Sequence, residues 1–172
     1  MLEVEGAVKV STEGVRDEWP TVAELAAQEA ELQLDRFDND DAWRLGVALV
    51  DEARRRDLSV VVDISRGGQQ LFHAALAGTA PDNDAWVVRK SRVVTRFGHS
   101  SLYIGQVCRD GGTTLAEKYG LPAAEYAAHG GAFPLVVRHV GPVGVVTVSG
   151  LPQLEDHRLV VSVLRDHLST RT

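Results

Sequence analysis

The sequence predicts an α+β fold, a mainly antiparallel sheet with helices packed on its faces, and two observations carry that reading. Leu58 to Ser65 (LSVVVDIS) is rich in β-branched residues, Arg66-Gly67-Gly68 forms a tight turn, and Gln69 to Leu76 supplies a returning strand, so the segment reads as a β-hairpin. A second pair of apolar runs, about Phe133 to Val137 and Val143 to Ser149, comes only after a long helical middle. Hairpin, helices, hairpin, helix is the order of an α+β layer structure and not of a doubly wound parallel sheet.

The remaining elements follow from caps and periodicity. Residues 1–19 mix charge and glycine with little periodicity and are expected to be an N-terminal arm or edge strand, leaving 20–172 as one domain. Thr21-Val-Ala-Glu24 is a capping box that opens a helix through about Leu34. Asn39 or Asp40 caps a second helix through about Arg56, with Trp43, Val47 and Val50 on one side. Asn83 caps a long helix to about Phe97, a further helix spans Ser100 to Cys108, and Asp110 to Gly131 reads as a short helix and loop. Gly141-Pro142 joins the last two strands, and a helix from about Leu154 to Leu168 closes the chain.

Composition narrows the function. A chain of 172 residues with 44% hydrophobic and 24% charged residues fits one globular domain with a real core. The net charge of -6 provides no basic face, so neither nucleic acid nor an anionic membrane is an expected partner. The lone Cys108 excludes an intramolecular disulfide and a thiolate zinc site, and points to a reducing, cytoplasmic setting. The acidic start MLEVEGAVKV lacks the pattern of a signal peptide, and no apolar run has the length of a membrane span.

Polar residues on apolar faces are the informative ones. At about 100° per residue, Lys90 falls among Trp86, Val93, Val94 and Phe97, where a lysine must snorkel, pair with a carboxylate, or meet a ligand or partner chain. Arg89, Arg92 and Arg96 share another, solvated side of the same helix. His157 heads an apolar stripe of Val160, Val161, Leu164 and Leu168, as a hydrogen-bonded histidine at a core edge or as a ligand contact. Asp63, in a valine-rich strand, is expected to face solvent, with a buried pairing to Lys90 or Arg66 as the alternative. Glu125 and His129 stand at i and i+4, a weak metal signal to which His99 or His157 would add a third ligand, but no H-E-x-x-H signature is present. Neither a G-x-S-x-G elbow nor a Walker loop occurs, which removes support for a serine hydrolase of that class and for nucleotide hydrolysis.

The stretch VSGLPQLEDH (Val148 to His157) concentrates these signals. Gly150 suits a strand exit, Pro152 a first helical turn, and Glu155 and Asp156 the positive end of a helix dipole. A helix N-terminus beside a glycine turn also makes a place for a ligand, with Ser149, Asp156 and His157 around it. Asp156 and His157 are adjacent on a helix and point about 100° apart, so they do not readily form one acid-base pair.

The hairpin VVVDISRGGQQLFHAAL, the helix WVVRKSRVVTRFGHSS, GGAFPL and VGVVTVSGLPQLEDH together resemble the haem-degrading-domain family, also called GlcG/HbpS-like, in its branch of conserved proteins without an assigned activity. The resemblance covers roughly residues 20–168. It implies a profilin-like sandwich and homo-oligomers from dimers to larger rings. It matches Lys90 to the recurrent lysine of the central helix, Gly130-Gly131, Gly144 and Ser149-Gly150 to glycine and strand-exit positions, and Asp156 to an acidic residue near the last helix start. It also implies haem as a possible cofactor, with His99, His129 and His157 as the available axial ligands. The expected site is a pocket for haem or another small anionic molecule, lined by Lys90, Arg89, Trp86, His99, His129, Gly130, Gly131, Ser149, Gly150, Asp156 and His157. A homo-oligomeric scaffold without a small ligand is the alternative.

Overall fold

The computed structural model describes residues 19–170, so the expectation for the N-terminal arm lies, apart from Trp19, outside the described residues. Two helices, α1 (Val22–Glu31) and α2 (Asn39–Arg55), lead into strands β1 (Val61–Arg66) and β2 (Gln69–Ala75). Helices α3 (Pro81–Phe97), α4 (Ser101–Asp110) and α5 (Leu115–Tyr119) form the middle. Strands β3 (Ala132–Val137) and β4 (Gly141–Ser149) and helix α6 (Gln153–Ser169) complete the chain. The four strands make one antiparallel sheet in the order β2-β1-β4-β3, as the α+β reading requires.

Local chemistry sets the boundaries, and in several places it moves them from the sequence expectation. Thr21 and Glu24 form the expected capping box, but α1 stops at Glu31 because Leu34 leaves the helix to pair its backbone with the edge of β3. Asp38, rather than Asn39 or Asp40, caps α2 in a reciprocal box with Asp41. Helix α3 starts at Pro81, and Asn83 acts from inside its first turn by accepting from the Ala80 N–H. Gly141 and Pro142 are not a turn: they belong to β4, and the chain reverses at residues 138–140 with His139 at φ 61°.

The main core lies on one face of the sheet. Val62 and Ile64 of β1, Phe133 and Leu135 of β3, and Val146 and Val148 of β4 meet Leu45 and Leu49 of α2 and Leu159 to Leu164 of α6. Because strand side chains alternate, Val61, Asp63 and Ser65 of β1 and Val145, Thr147 and Ser149 of β4 turn to the opposite face. Helix α3 covers part of that face, with Val94 packed on Ala132 and Val145. A sandwich whose second face is strongly polar is therefore built into the alternation of β1 and β4. Among the described residues no helix is long and apolar enough to cross a membrane.

Candidate functional site

The centre of the polar face is an ion pair under α3. Lys90 is 3% exposed and Asp156 1% exposed, and Lys90 Nζ donates to Asp156 Oδ2 at 2.9 Å and to the Val148 carbonyl at 3.1 Å. Asp156 also accepts from the Leu151 N–H on Oδ1 at 3.0 Å and from the Gly150 N–H on Oδ2 at 3.4 Å. One carboxylate thus joins α3, the end of β4 and the first turn of α6. Burial pushes the Lys90 ammonium down from its ordinary value and the Asp156 carboxyl up, while the contact between them opposes both changes.

Glycine is required where the backbone closes on this pair. Gly131 has φ 129°, and a Cβ there would lie 2.3 Å from the Val148 carbonyl oxygen and 2.8 Å from Lys90 Nζ. Gly150 has φ 155°, and its Cβ would lie 2.2 Å from the Ser59 carbonyl oxygen. Both positions need the missing side chain, for conformation and for space.

Beside the pair opens a cleft of about 260 Å³ lined by Asp82, Asn83, Trp86, Lys90, His129, Ser149, Gly150, Leu151, Gln153 and Asp156. The first turns of α3 and α6 both border it, and neither Ala80 nor Pro152, their N-caps, supplies a side-chain hydrogen bond to the free N–H groups. Ser149 is 3% exposed, and among the described residues its hydroxyl has no hydrogen-bond partner. Trp86 is held between Arg89, whose Cζ lies 4.0 Å from the ring centroid, and His129, whose ring meets it edge-on at 5.1 Å. Burial, and then the charges of Lys90 and Arg89, lower the His129 pKa, which favours a neutral imidazole.

The cleft brings together Trp86, Lys90, His129, Ser149, Gly150 and Asp156 from the sequence-predicted set. The others stand elsewhere. Gly130 and Gly131 lie behind the ion pair as packing positions, and Arg89 reaches the Ala123 carbonyl while covering Trp86. His99 Nδ1 lies 2.7 Å from Glu29 Oε2, with its ring stacked on Tyr103. His157 is buried with Nε2 2.8 Å from Gln28 Oε1, and burial lowers its pKa to about 4. Residues 121–130 are not helical, so Glu125 and His129 do not share a helix face, and the described residues contain no metal-ligand group. Asp63 corrects the solvent-facing expectation: it is buried and holds Gln70 and His73, not Lys90 or Arg66. Asp82 and Gln153 stand outside the expected set, and Asn83 entered the sequence reading only as a helix cap, although Pro81 and Pro152 mark the two helix starts on which all three sit.

The frame that carries this cleft is shared with known proteins. Residues 37–165 match the HbpS-like family, described as haem degrading protein HbpS-like. The chain belongs to this family. Within it, the chain is 61% identical to a UPF0303 protein of Streptomyces coelicolor over 145 residues, which is 84% of this chain and 92% of that protein. A UPF0303 protein of Rhizobium meliloti is 51% identical over 144 residues, covering 84% of this chain and 88% of its own length. Among solved structures, the Ybr137w protein superposes with a TM-score of 0.82 at 36% identity, covering 90% of this chain and 91% of that one. HbpS itself, at 18% identity and a TM-score of 0.59 over 80% of this chain and 92% of its own, shares the fold. So does a PduOC–haem complex, at 15% identity and a TM-score of 0.64 over 75% of this chain and 93% of that one.

Proposed function

We propose that this HbpS-like chain is a small-molecule-binding module, acting as a homo-oligomer, whose ligand is a small anion held in the cleft beside Lys90 and Asp156. The observation that carries the reading is the pair of unused donors at its floor. Lys90 gives two of its three protons to protein acceptors, and the Ser149 hydroxyl has none among the described residues. Two helix N-termini aim positive dipole ends at the same space, and Asp82 is the one exposed carboxylate on its rim. An anion seated there receives hydrogen bonds from Lys90, Ser149 and the helix starts, with Trp86 as its apolar wall.

Haem, the ligand suggested by the family's description and by the PduOC complex, does not suit this cleft. The volume of about 260 Å³ lies below the roughly 300–1,000 Å³ of pockets for drug-sized ligands, and the one imidazole lining it packs against Trp86. A second groove, of about 1050 Å³ between α3 and β1, has the room, but Tyr126 is the one side chain in its lining with a customary iron-ligating group. Neither of these two spaces combines haem-sized room with a free imidazole.

Parallel titrations test the reading. The tag-free protein is titrated with haem, followed by its Soret band, and with inorganic phosphate and short carboxylates, followed by tryptophan fluorescence. Saturable binding of one small anion per subunit, without a saturable Soret shift, is expected. A saturable, shifted Soret band at fixed stoichiometry, with no small-anion response, overturns it.

A further inference from the structure

Two side-chain amides of the cleft are held so that their donors stay free. Asn83 Oδ1 accepts from the Ala80 N–H at 2.8 Å, and Gln153 Oε1 accepts from the Gly130 N–H at 3.1 Å. A backbone N–H needs an oxygen acceptor, so each amide has one orientation, with its NH2 group on the other arm. Among the described residues neither NH2 group meets an acceptor, and both residues line the cleft. With the Ser149 hydroxyl and the third proton of Lys90, the cleft thus gathers donors from α3, β4 and α6.

Charge in the cleft runs the other way. Lys90 and Asp156 neutralise each other, and the buried Asp156 is fully engaged: Oδ1 accepts from Leu151, and Oδ2 from Lys90 and Gly150. Of the two carboxylates in the first turn of α3, Asp84 lies 3.1 Å from His73 Nε2, outside the cleft. Asp82 is exposed and lines the cleft, and among the described residues its carboxylate has no hydrogen bond or ion pair. The charged side chains of the lining, one ammonium and two carboxylates, therefore sum to -1, with His129 favoured neutral. A purely anionic ligand satisfies the donors but leaves that charge uncompensated, whereas a ligand that also carries a cation satisfies both.

We propose that the cleft binds the zwitterion of a free α-amino acid, with its carboxylate toward Ser149, Lys90, Asn83 and Gln153, its ammonium toward Asp82 and its side chain along Trp86. This ligand class rests on the anion reading of the same cleft and narrows it. One carbon separates the two charged groups of an α-amino acid, which suits a space of about 260 Å³ bordered by both the donors and Asp82. Long helical side chains lean toward the N-terminus of their helix, which carries the Lys90 ammonium toward the turn that holds Asp82 and Asn83.

Isothermal titration calorimetry of wild type and Asp82→Asn, at neutral pH and constant ionic strength, tests the assignment. Each amino acid is compared with the carboxylate that lacks its amino group: alanine with propionate, valine with isovalerate, phenylalanine with hydrocinnamate. In wild type, at least one amino acid is expected to bind once per subunit and about tenfold or more tightly than its partner, the increment of one charge-assisted hydrogen bond. Asp82 is exposed, so the variant is expected to keep its circular dichroism spectrum while that preference falls to about threefold or less. Wild type that binds the carboxylates as tightly as the amino acids overturns the amino-acid assignment and leaves the anion reading standing. An undiminished preference in folded Asp82→Asn overturns the assignment of the ammonium to Asp82. No saturable binding of any amino acid, carboxylate or inorganic phosphate overturns the assignment and the anion reading together.

Discussion

Lys90 and Asp156, 66 residues apart in sequence, form a buried ion pair at 2.9 Å that links α3, the end of β4 and α6. The pair is a structural joint as well as a wall of the cleft, and its two roles separate experimentally. Breaking one partner strands the other's charge inside the protein. Lys90→Met is therefore expected to cost about 3–5 kcal/mol, measured by urea unfolding, with Lys90→Met/Asp156→Leu no worse than additive because the stranded charge is gone. A loss of less than about 1 kcal/mol for Lys90→Met alone contradicts a tightly coupled buried pair.

Gly131 and Gly67 both have positive φ, but their surroundings differ. An alanine at Gly67 meets nothing within 4 Å, so Gly67→Ala is expected to lose about 1 kcal/mol for conformation alone. Gly131→Ala drives its Cβ into the Val148 carbonyl and the Lys90 ammonium, and is expected to lose about 3 kcal/mol or more in the same unfolding experiment. Equal losses for the two would show that space around the ion pair is not limiting.

His157 makes stability fall with acidity. Burial, followed by the charge of Arg158, lowers its pKa from the ordinary 6.5 to about 4, so the unfolded chain binds the proton more readily. The neutral form's contribution is present above pH 6.5 and is lost progressively as pH falls toward 4, by an amount on the order of 3 kcal/mol. His157→Gln, which keeps a polar group beside Gln28, is expected to flatten the unfolding free energy across that window. An unchanged pH profile in the variant assigns the acid sensitivity elsewhere.

How far this was legible in the sequence depends on the range of the interaction. Helix periodicity placed Lys90 among Trp86, Val93 and Val94, and burying a lysine there demanded a partner. It did not name Asp156, because the partner comes from a helix on the far side of the sheet's last strand. Alternation in β1 correctly set Asp63 opposite the core face but wrongly gave that face to solvent, because the covering by α3 and the His73 contact are tertiary. Local rules likewise found the capping box at Thr21 and missed the one at Asp38, where Asn39 and Asp40 just after it offered equally good caps. The cleft is assembled from the starts of two distant helices and a strand end, which is why Asp82 and Gln153 stood out in no single segment and Asn83 only as a cap.

The anion reading is tested most directly at Ser149, whose hydroxyl lines the cleft without a protein partner among the described residues. The measurement is thermal unfolding of wild type and Ser149→Ala in increasing concentrations of inorganic phosphate and of short carboxylates, at constant ionic strength. Without ligand the two proteins are expected to have nearly equal Tm values, within about 0.5 kcal/mol of stability. A saturable rise in Tm with at least one anion is expected in wild type and is lost or much weakened in Ser149→Ala. No rise with any anion, or the same rise in both proteins, would contradict it.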